Sequence, residues 1–262
     1  MQSAPISLFD KIPEISQSLA NGRPLGLVFN LECLMSSRRW RAGAGLTEIQ
    51  RHIHWVADLP DIITVILSDG SLSELETLFD SHKIILAPNN GTEIYAADFF
   101  WNLPNLNLIR QELTDIYCAV RESLGAKLQP EYLGFSQSEL WLKVSPGAEA
   151  VRKSLIEQFK LQNPVHLRLI TQSNQTTIVP LIKWDRGQVI QKLMDLVPHP
   201  LNQTPLVIYF GVEENDEAAF HYVNQVGFSV IIHNRIPRAT EACYFLRNIA
   251  ELSKFLFWVH SR

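Results

Sequence analysis

Leu25-Gly26-Leu27-Val28-Phe29-Asn30-Leu31-Glu32 is the stretch on which the fold turns: an apolar run without alternation, broken by an amide and then a carboxylate. A strand with one face in water alternates, whereas a strand apolar throughout is covered on both faces, as in a parallel sheet. Ile63 to Leu67, Ile84 to Ala87, Leu206 to Phe210 and Ser229 to Ile232 read the same way. Between these runs, Leu72, Leu75, Leu78 and Phe79, and then Val189, Ile190, Leu193, Met194 and Val197, recur at helical spacing. Strand and helix in alternation predict a doubly wound α/β sheet. Further out, Ala242, Phe245, Ile249, Leu252, Leu256 and Val259 form one stripe, which predicts a closing helix capped by Thr240. The first 23 residues are expected to form one helix packed on the core or to be partly loose.

The middle of the chain breaks this rhythm. Glu139 to Val144 and Val165 to Ile170 read as strands and Gly147 to Phe159 as an amphipathic helix, which suits a small α+β insertion. Pro and polar residues cluster at Ala97 to Pro104 and Pro180 to Arg186, the expected hinges. The expected division is a core of 1–97 and 181–262 with an insertion of 98–180.

Charge and composition narrow the function. A net charge of -4 provides no basic field of the kind that dominates nucleic-acid binding, so a nucleic-acid partner is not expected. Apolar runs stop near six residues, far short of the roughly 20 of a membrane span, and no span is expected. Cys33, Cys118 and Cys243 are too scattered for a disulfide framework or a Cys-rich metal site, and a reducing cytoplasm is the expected location.

In an open parallel sheet, ligands bind beyond the carboxyl ends of the strands. Those ends carry Asn30-Leu31-Glu32, Ser68-Asp69-Gly70, Asn89-Asn90-Gly91 and Gly211-Val212-Glu213-Glu214-Asn215-Asp216-Glu217. At these residues the chain resembles the trehalose-6-phosphate phosphatase family of the haloacid dehalogenase superfamily. That family's Asp-Tyr-Asp-Gly-Thr-Leu is similar to Asn30-Leu31-Glu32-Cys33-Leu34-Met35, and its Ser-Gly-Arg to Ser68-Asp69-Gly70. Its Asn-His-Gly-Ala-Glu is similar to Asn89-Asn90-Gly91-Thr92-Glu93, its Lys-Gly to Arg186-Gly187, and its Gly-Asp-Asp-x-Thr-Asp-Glu-x-x-Phe to Gly211 through Phe220. The resemblance implies a haloacid dehalogenase-like Rossmannoid core with a parallel sheet, the insertion being an α+β cap.

It further implies aspartyl-phosphate chemistry, with a nucleophilic aspartate, a second aspartate as acid and base, and Mg²⁺ held by carboxylates. Here Asn30 stands at the nucleophile position and Glu32 at the acid/base position. An amide oxygen is uncharged and a poor nucleophile toward phosphorus. Val212 replaces an expected metal carboxylate, leaving Glu213 and Asp216 as metal candidates for a weak or absent site. Ser68 and Arg186 are the phosphate-binding candidates. Asp69 brings a carboxylate to the phosphate cradle and is expected to cap its own helix. No acidic residue lies between Gln172 and Trp184, where the resemblance places a sugar-binding glutamate. The expected function is a pseudophosphatase, a scaffold for a protein partner or a sugar phosphate, with no cofactor. The alternative is an active phosphatase for trehalose 6-phosphate or a related sugar phosphate, with Mg²⁺ as cofactor. Arg38, Arg39 and Arg41 flank Trp40 in what reads as a solvated basic loop, and Trp101, Trp141 and Trp184 read as packing residues.

Overall fold

A computed structural model describes residues 4–35, 46–172, 175–197, 204–212, 214–233 and 239–262, so Arg38 to Arg41 and Glu213 lie outside the described residues. The chain divides into two compact units, Met1–Trp101 with Asp185–Arg262, and Asn102–Trp184. The steps fall slightly later than the 97/98 and 180/181 expected from the hinge composition.

In chain order the elements are β1 (Ile6–Ser7), α1 (Ile12–Ala20), β2 (Leu25–Asn30), α2 (Leu31–Met35), α3 (Leu46–Ala57), β3 (Ile62–Leu67), α4 (Leu72–Glu76), β4 (Ile85–Ala87), β5 (Glu93–Tyr95) and β6 (Phe100–Asn102). The inserted unit follows with α5 (Leu106–Leu124), β7 (Leu133–Ser136), β8 (Trp141–Val144), α6 (Glu149–Gln162), β9 (Leu167–Gln172) and β10 (Gln175–Pro180). The chain then returns to the first unit through α7 (Arg186–Leu196), β11 (Leu206–Gly211), α8 (Glu217–Val223), β12 (Gly227–Ile232), β13 (Tyr244–Leu246) and α9 (Ile249–His260).

The first unit is built on a sheet of order β1-β13-β12-β11-β2-β3-β4-β5-β6. It is parallel from β1 to β4, and β5 runs antiparallel to β4. Strand order reverses between β2 and β11, the point at which such sheets open a crevice. Both faces are covered, as the unalternating runs require. On one face, Ile15 and Leu19 of α1, Ile49 and Ile53 of α3, and Phe255 and Leu256 of α9 pack with Phe29 and Phe210, whose rings stack at 5.0 Å. On the other, Tyr209 meets Phe220 of α8 edge-on at 5.7 Å, and Val189, Ile190 and Leu193 of α7 are buried.

Two sequence expectations change. The stripe beginning at Ala242 is not one helix: Tyr244–Leu246 pairs with β12 and β1 as β13, and α9 begins only after Asn248, whose side chain accepts from the Glu251 N–H at 3.0 Å. Thr240 instead donates to Glu217 Oε1 at 2.8 Å, and Glu217 Oε2 accepts from the Glu241 N–H at 2.6 Å. That carboxylate holds residues 240–241 ahead of β13 and leaves them no role as a cap. Nor does Asp69 cap α4. Ser71 does, in a reciprocal box with Glu74: the Ser71 N–H donates to Glu74 Oε2 at 2.7 Å and the Glu74 N–H to Ser71 Oγ at 3.4 Å.

The inserted unit, taken by itself, is an antiparallel sheet of order β7-β8-β10-β9 with α5 and α6. Ile109, Leu113, Ile116 and Val120 of α5 and Val151 and Leu155 of α6 supply its core. Glu112 accepts from the Val165 and His166 N–H groups, each at 3.0 Å, tying α5 to the entry of β9. Trp141 lies over Gly134, where a Cβ would stand 2.8 Å from the ring. No described helix is long and apolar enough to cross a membrane.

Candidate functional site

The site lies wholly in the first unit. β2 and β11 are adjacent and parallel, so both deliver their last residues to the same edge. β2 ends on Asn30, and the chain turns at once into α2, which carries Glu32. β11 ends on Gly211, and a 3₁₀ turn over Glu214–Asp216 brings Asp216 back to the strand end. Gly211 makes this return possible, since a Cβ there would stand 2.6 Å from the Asp216 carboxylate. Asp216 precedes α8 but makes no cap hydrogen bond with its side chain, which turns into the site instead. Arg186 opens α7 behind Asp185, whose carboxylate accepts from the Gln188 N–H at 3.1 Å as an N-cap. A Cβ on Gly187 would meet the Ala218 carbonyl oxygen at 2.5 Å, so a glycine here lets α7 close on α8 and brings Arg186 to Asp216.

Asn30 and Asp216 are fully buried and Arg186 is 4% exposed. Asp216 Oδ1 accepts from Arg186 Nη1 at 2.6 Å, from the Tyr209 hydroxyl and from Asn30 Nδ2 at 3.0 Å. Its Oδ2 accepts from the same Nδ2 at 3.1 Å and from the Val212 N–H at 2.7 Å. Asn30 Oδ1 accepts from the Glu32 N–H at 3.1 Å. Chemistry fixes the amide's orientation, because the carboxylate can only accept and the Glu32 N–H can only donate. Burial pushes the Tyr209 phenol well above its ordinary range and the Asp216 charge adds to this, so Tyr209 remains a donor.

Glu32 sits at the outer side of this network. Its Oε1 accepts from Ser68 Oγ at 3.3 Å, and its Oε2 lies 3.8 Å from Arg186 Nη2. Burial, reinforced by Asp69, pushes the Glu32 carboxyl up to about 8, against the pull of Arg186. An acid whose pKa is raised by folding holds its proton in the folded state while the unfolded chain has already lost it. Its contribution is therefore complete below about 4.5 and lost as pH rises toward about 8. Urea unfolding should show stability falling across this window by up to about 1.4 kcal/mol per pH unit. Glu32→Gln should flatten that slope, and an unchanged slope in the variant would assign the proton to another group.

The remaining wall is the turn after β4. Asn89, Asn90 and Gly91 all have left-handed backbones, with φ of 52°, 54° and 69°. Asparagine tolerates that region better than most residues, and at Gly91 a Cβ would also strike Val189 at 2.4 Å. The Asn89 N–H donates to the Gly70 carbonyl at 2.9 Å and the Asn90 N–H to the Ser68 carbonyl at 2.8 Å, so the turns after β3 and β4 are laced together. Asn90 Oδ1 accepts from Arg186 Nη2 at 3.4 Å.

Of the residues expected from sequence, Asn30, Glu32, Ser68, Arg186 and Asp216 come together, though engaged with one another, while Glu213 lies outside the described residues. Ser68 Oγ, a phosphate-binding candidate, donates to Glu32 and accepts from the Gly70 N–H at 3.0 Å. Arg186, the other, is committed to Asp216. Mg²⁺ demands oxygen ligands in near-octahedral array. Both Asp216 oxygens already face N–H or O–H donors, the amide of Asn30 turns hydrogens toward that position, and Val212 presents a hydrocarbon. These residues do not fit the ion. Among the described residues, no group of three or more His, Cys, Asp or Glu is placed to hold a metal. Tyr209 is the residue that sequence reading missed. A tyrosine inside a wholly buried strand must find a partner for its hydroxyl, and that was the available signal.

No protein-family model matches the chain. Over 112 residues, 42% of its length, it is 30% identical to trehalose-phosphate phosphatase B of Arabidopsis thaliana; the match spans 28% of that protein, under a third of its length. The structure of Aspergillus fumigatus trehalose-6-phosphate phosphatase superposes with a TM-score of 0.69 at 15% identity, covering 98% of this chain and 99% of that one. The C-terminal domain of the Candida albicans trehalose synthase regulatory protein superposes with a TM-score of 0.57 at 15% identity, each chain covered in full. Less than half of the chain is thus similar in sequence to part of a plant trehalose-phosphate phosphatase, and its fold is that of solved trehalose-6-phosphate phosphatases and of a haloacid dehalogenase-like hydrolase.

Proposed function

We propose that the chain is a pseudophosphatase, a catalytically degenerate member of this fold that serves as a scaffold for a protein partner or a sugar phosphate. One observation carries the reading: the Asn30 side chain is bonded to both oxygens of Asp216 through Nδ2 and to the Glu32 N–H through Oδ1. Phosphoryl transfer through a covalent intermediate needs an anionic oxygen aimed at phosphorus, with a cation to hold the phosphate. Here the oxygen is a neutral amide oxygen already accepting a hydrogen bond, and the Arg186 cation is spent on Asp216. The Candida regulatory protein supports the scaffold role, because by its name a protein with a domain of this fold acts on an enzyme.

The assay is release of inorganic phosphate from trehalose 6-phosphate and a panel of sugar phosphates, with Mg²⁺ or Mn²⁺. The expected rate lies below that of an intact site by a factor on the order of 10⁴ to 10⁶, roughly 5 to 8 kcal/mol of barrier. Turnover near or above about 1 per second, within the ordinary enzyme range, would overturn the reading. It would favour the alternative, an active Mg²⁺-dependent sugar-phosphate phosphatase. For that alternative speaks Glu32, a buried acid near neutrality of the kind that donates protons in catalysis.

A further inference from the structure

We infer that Arg186 and Asn30 together replace a divalent cation: the guanidinium and the amide supply, from within the chain, the neutralisation of Asp216 for which a carboxylate pair at this sheet edge would need Mg²⁺. The inference rests on the reading above and names what holds the degenerate site together. Asp216 is fully buried, and a buried carboxylate is retained only with compensation. Arg186 Nη1 provides the charge at 2.6 Å. Asn30 Nδ2 spans both carboxylate oxygens at 3.0 and 3.1 Å, a separation at which two carboxylates could not both ionise without a cation between them. With the Tyr209 hydroxyl and the Val212 N–H added, each oxygen of Asp216 accepts at least two donors, so its lone pairs are filled by hydrogens and none is turned to a metal. Arg186 is held in turn by Asn90 Oδ1 and by the charge of Asp216, which keeps the guanidinium against that carboxylate. The folded core therefore neither needs nor recognises Mg²⁺.

Thermal unfolding of the full chain in EDTA and in millimolar Mg²⁺ tests this, with calorimetric titration of Mg²⁺ alone into the wild-type protein. The wild type should melt at the same temperature in both and show no saturable heat. Asn30→Asp recreates the carboxylate pair: it should melt lower in EDTA and recover on the order of 5 °C or more with Mg²⁺. Should that variant be unfolded in EDTA, its refolding with and without Mg²⁺ reads the same dependence. Asn30→Ser removes the amide without adding charge and should remain indifferent to Mg²⁺. A saturable Mg²⁺-dependent rise in the wild type, or an Asn30→Asp variant indifferent to the ion, would overturn the inference. Its failure can be told from failure of the functional reading. Phosphate release by a protein whose melting ignores Mg²⁺ would refute the pseudophosphatase alone, whereas an inactive protein stabilised by Mg²⁺ would refute only the built-in cation.

Discussion

Arg186→Met should lower the stability of the core unit by about 3–5 kcal/mol, the usual cost of removing one partner of a buried ion pair. Methionine keeps much of the stem and its packing, so the loss reports the charge rather than a cavity. Asp216 would then be buried without the guanidinium, its charge left to dipoles such as those of Tyr209, Asn30 and the Val212 N–H. The double variant Arg186→Met with Asp216→Asn should recover a large part of the loss, because no net charge is left uncompensated and the sites are in direct contact. Urea unfolding of the wild type, both single variants and the double variant measures the coupling. A cost below about 1 kcal/mol for Arg186→Met, typical of an exposed pair, would mean that Asp216 does not depend on this cation.

Such a network explains why the site was only partly legible in the sequence. Asn30, Glu32, Ser68, Arg186 and Asp216 sit at strand and helix ends that hydrophobic periodicity locates well, because β2, β3 and β11 are buried on both faces and read as unbroken apolar runs. What periodicity could not supply is which polar group binds which. Tyr209 was hidden inside such a run, and its hydroxyl reaches Asp216 only because the turn after Gly211 folds back on the strand. Leu106, Ile109, Leu113, Ile116 and Val120 of α5 have helical spacing, but they alternate with many polar and charged residues, so the stripe stands out less than the unbroken runs of the sheet. β10 alternates, with Thr176, Ile178 and Pro180 inside, but its polar Gln175-Thr176-Thr177 start and terminal proline masked the pattern. At the C-terminus the opposite error arose. Ala242 and Phe245 fit a helical stripe by chance, and the pull of the open β12 edge, an effect of tertiary structure, made them strand and approach. The Ser71-x-x-Glu74 spacing is itself a capping-box signature, and it places the start of α4 two residues beyond Asp69.

Rebuilding a phosphatase should require several coupled changes, and Asn30→Asp alone should restore no measurable turnover. Its new carboxylate would face Asp216 across the roughly 3 Å now spanned by Nδ2, with Arg186 already committed to Asp216 and a hydrocarbon at Val212. Adding Val212→Asp and Glu32→Asp should tighten the Mg²⁺ binding that Asn30→Asp introduces, since more hard oxygen ligands would then face the strand ends. Hydrolysis should still lag, because the exposed Asp69 carboxyl lies close enough to Glu32 to raise it and would repel an incoming phosphate. Asp69→Gly with Gly70→Arg removes that anion and restores a cation where phosphoryl transfer needs one. This last step has its own cost. A Cβ at position 70 would stand 2.7 Å from Glu74 Oε2, the atom that accepts from the Ser71 N–H. The glutamate tip can swing away, but then the box at the start of α4 opens, at about 1 kcal/mol. Rates measured along this series should therefore stay flat through the single and triple variants and rise only in the complete one, the non-additivity expected of groups that act as a unit. Turnover of about 1 per second from Asn30→Asp by itself would show a site preserved around a single lesion, and the expectation of several coupled losses would be wrong.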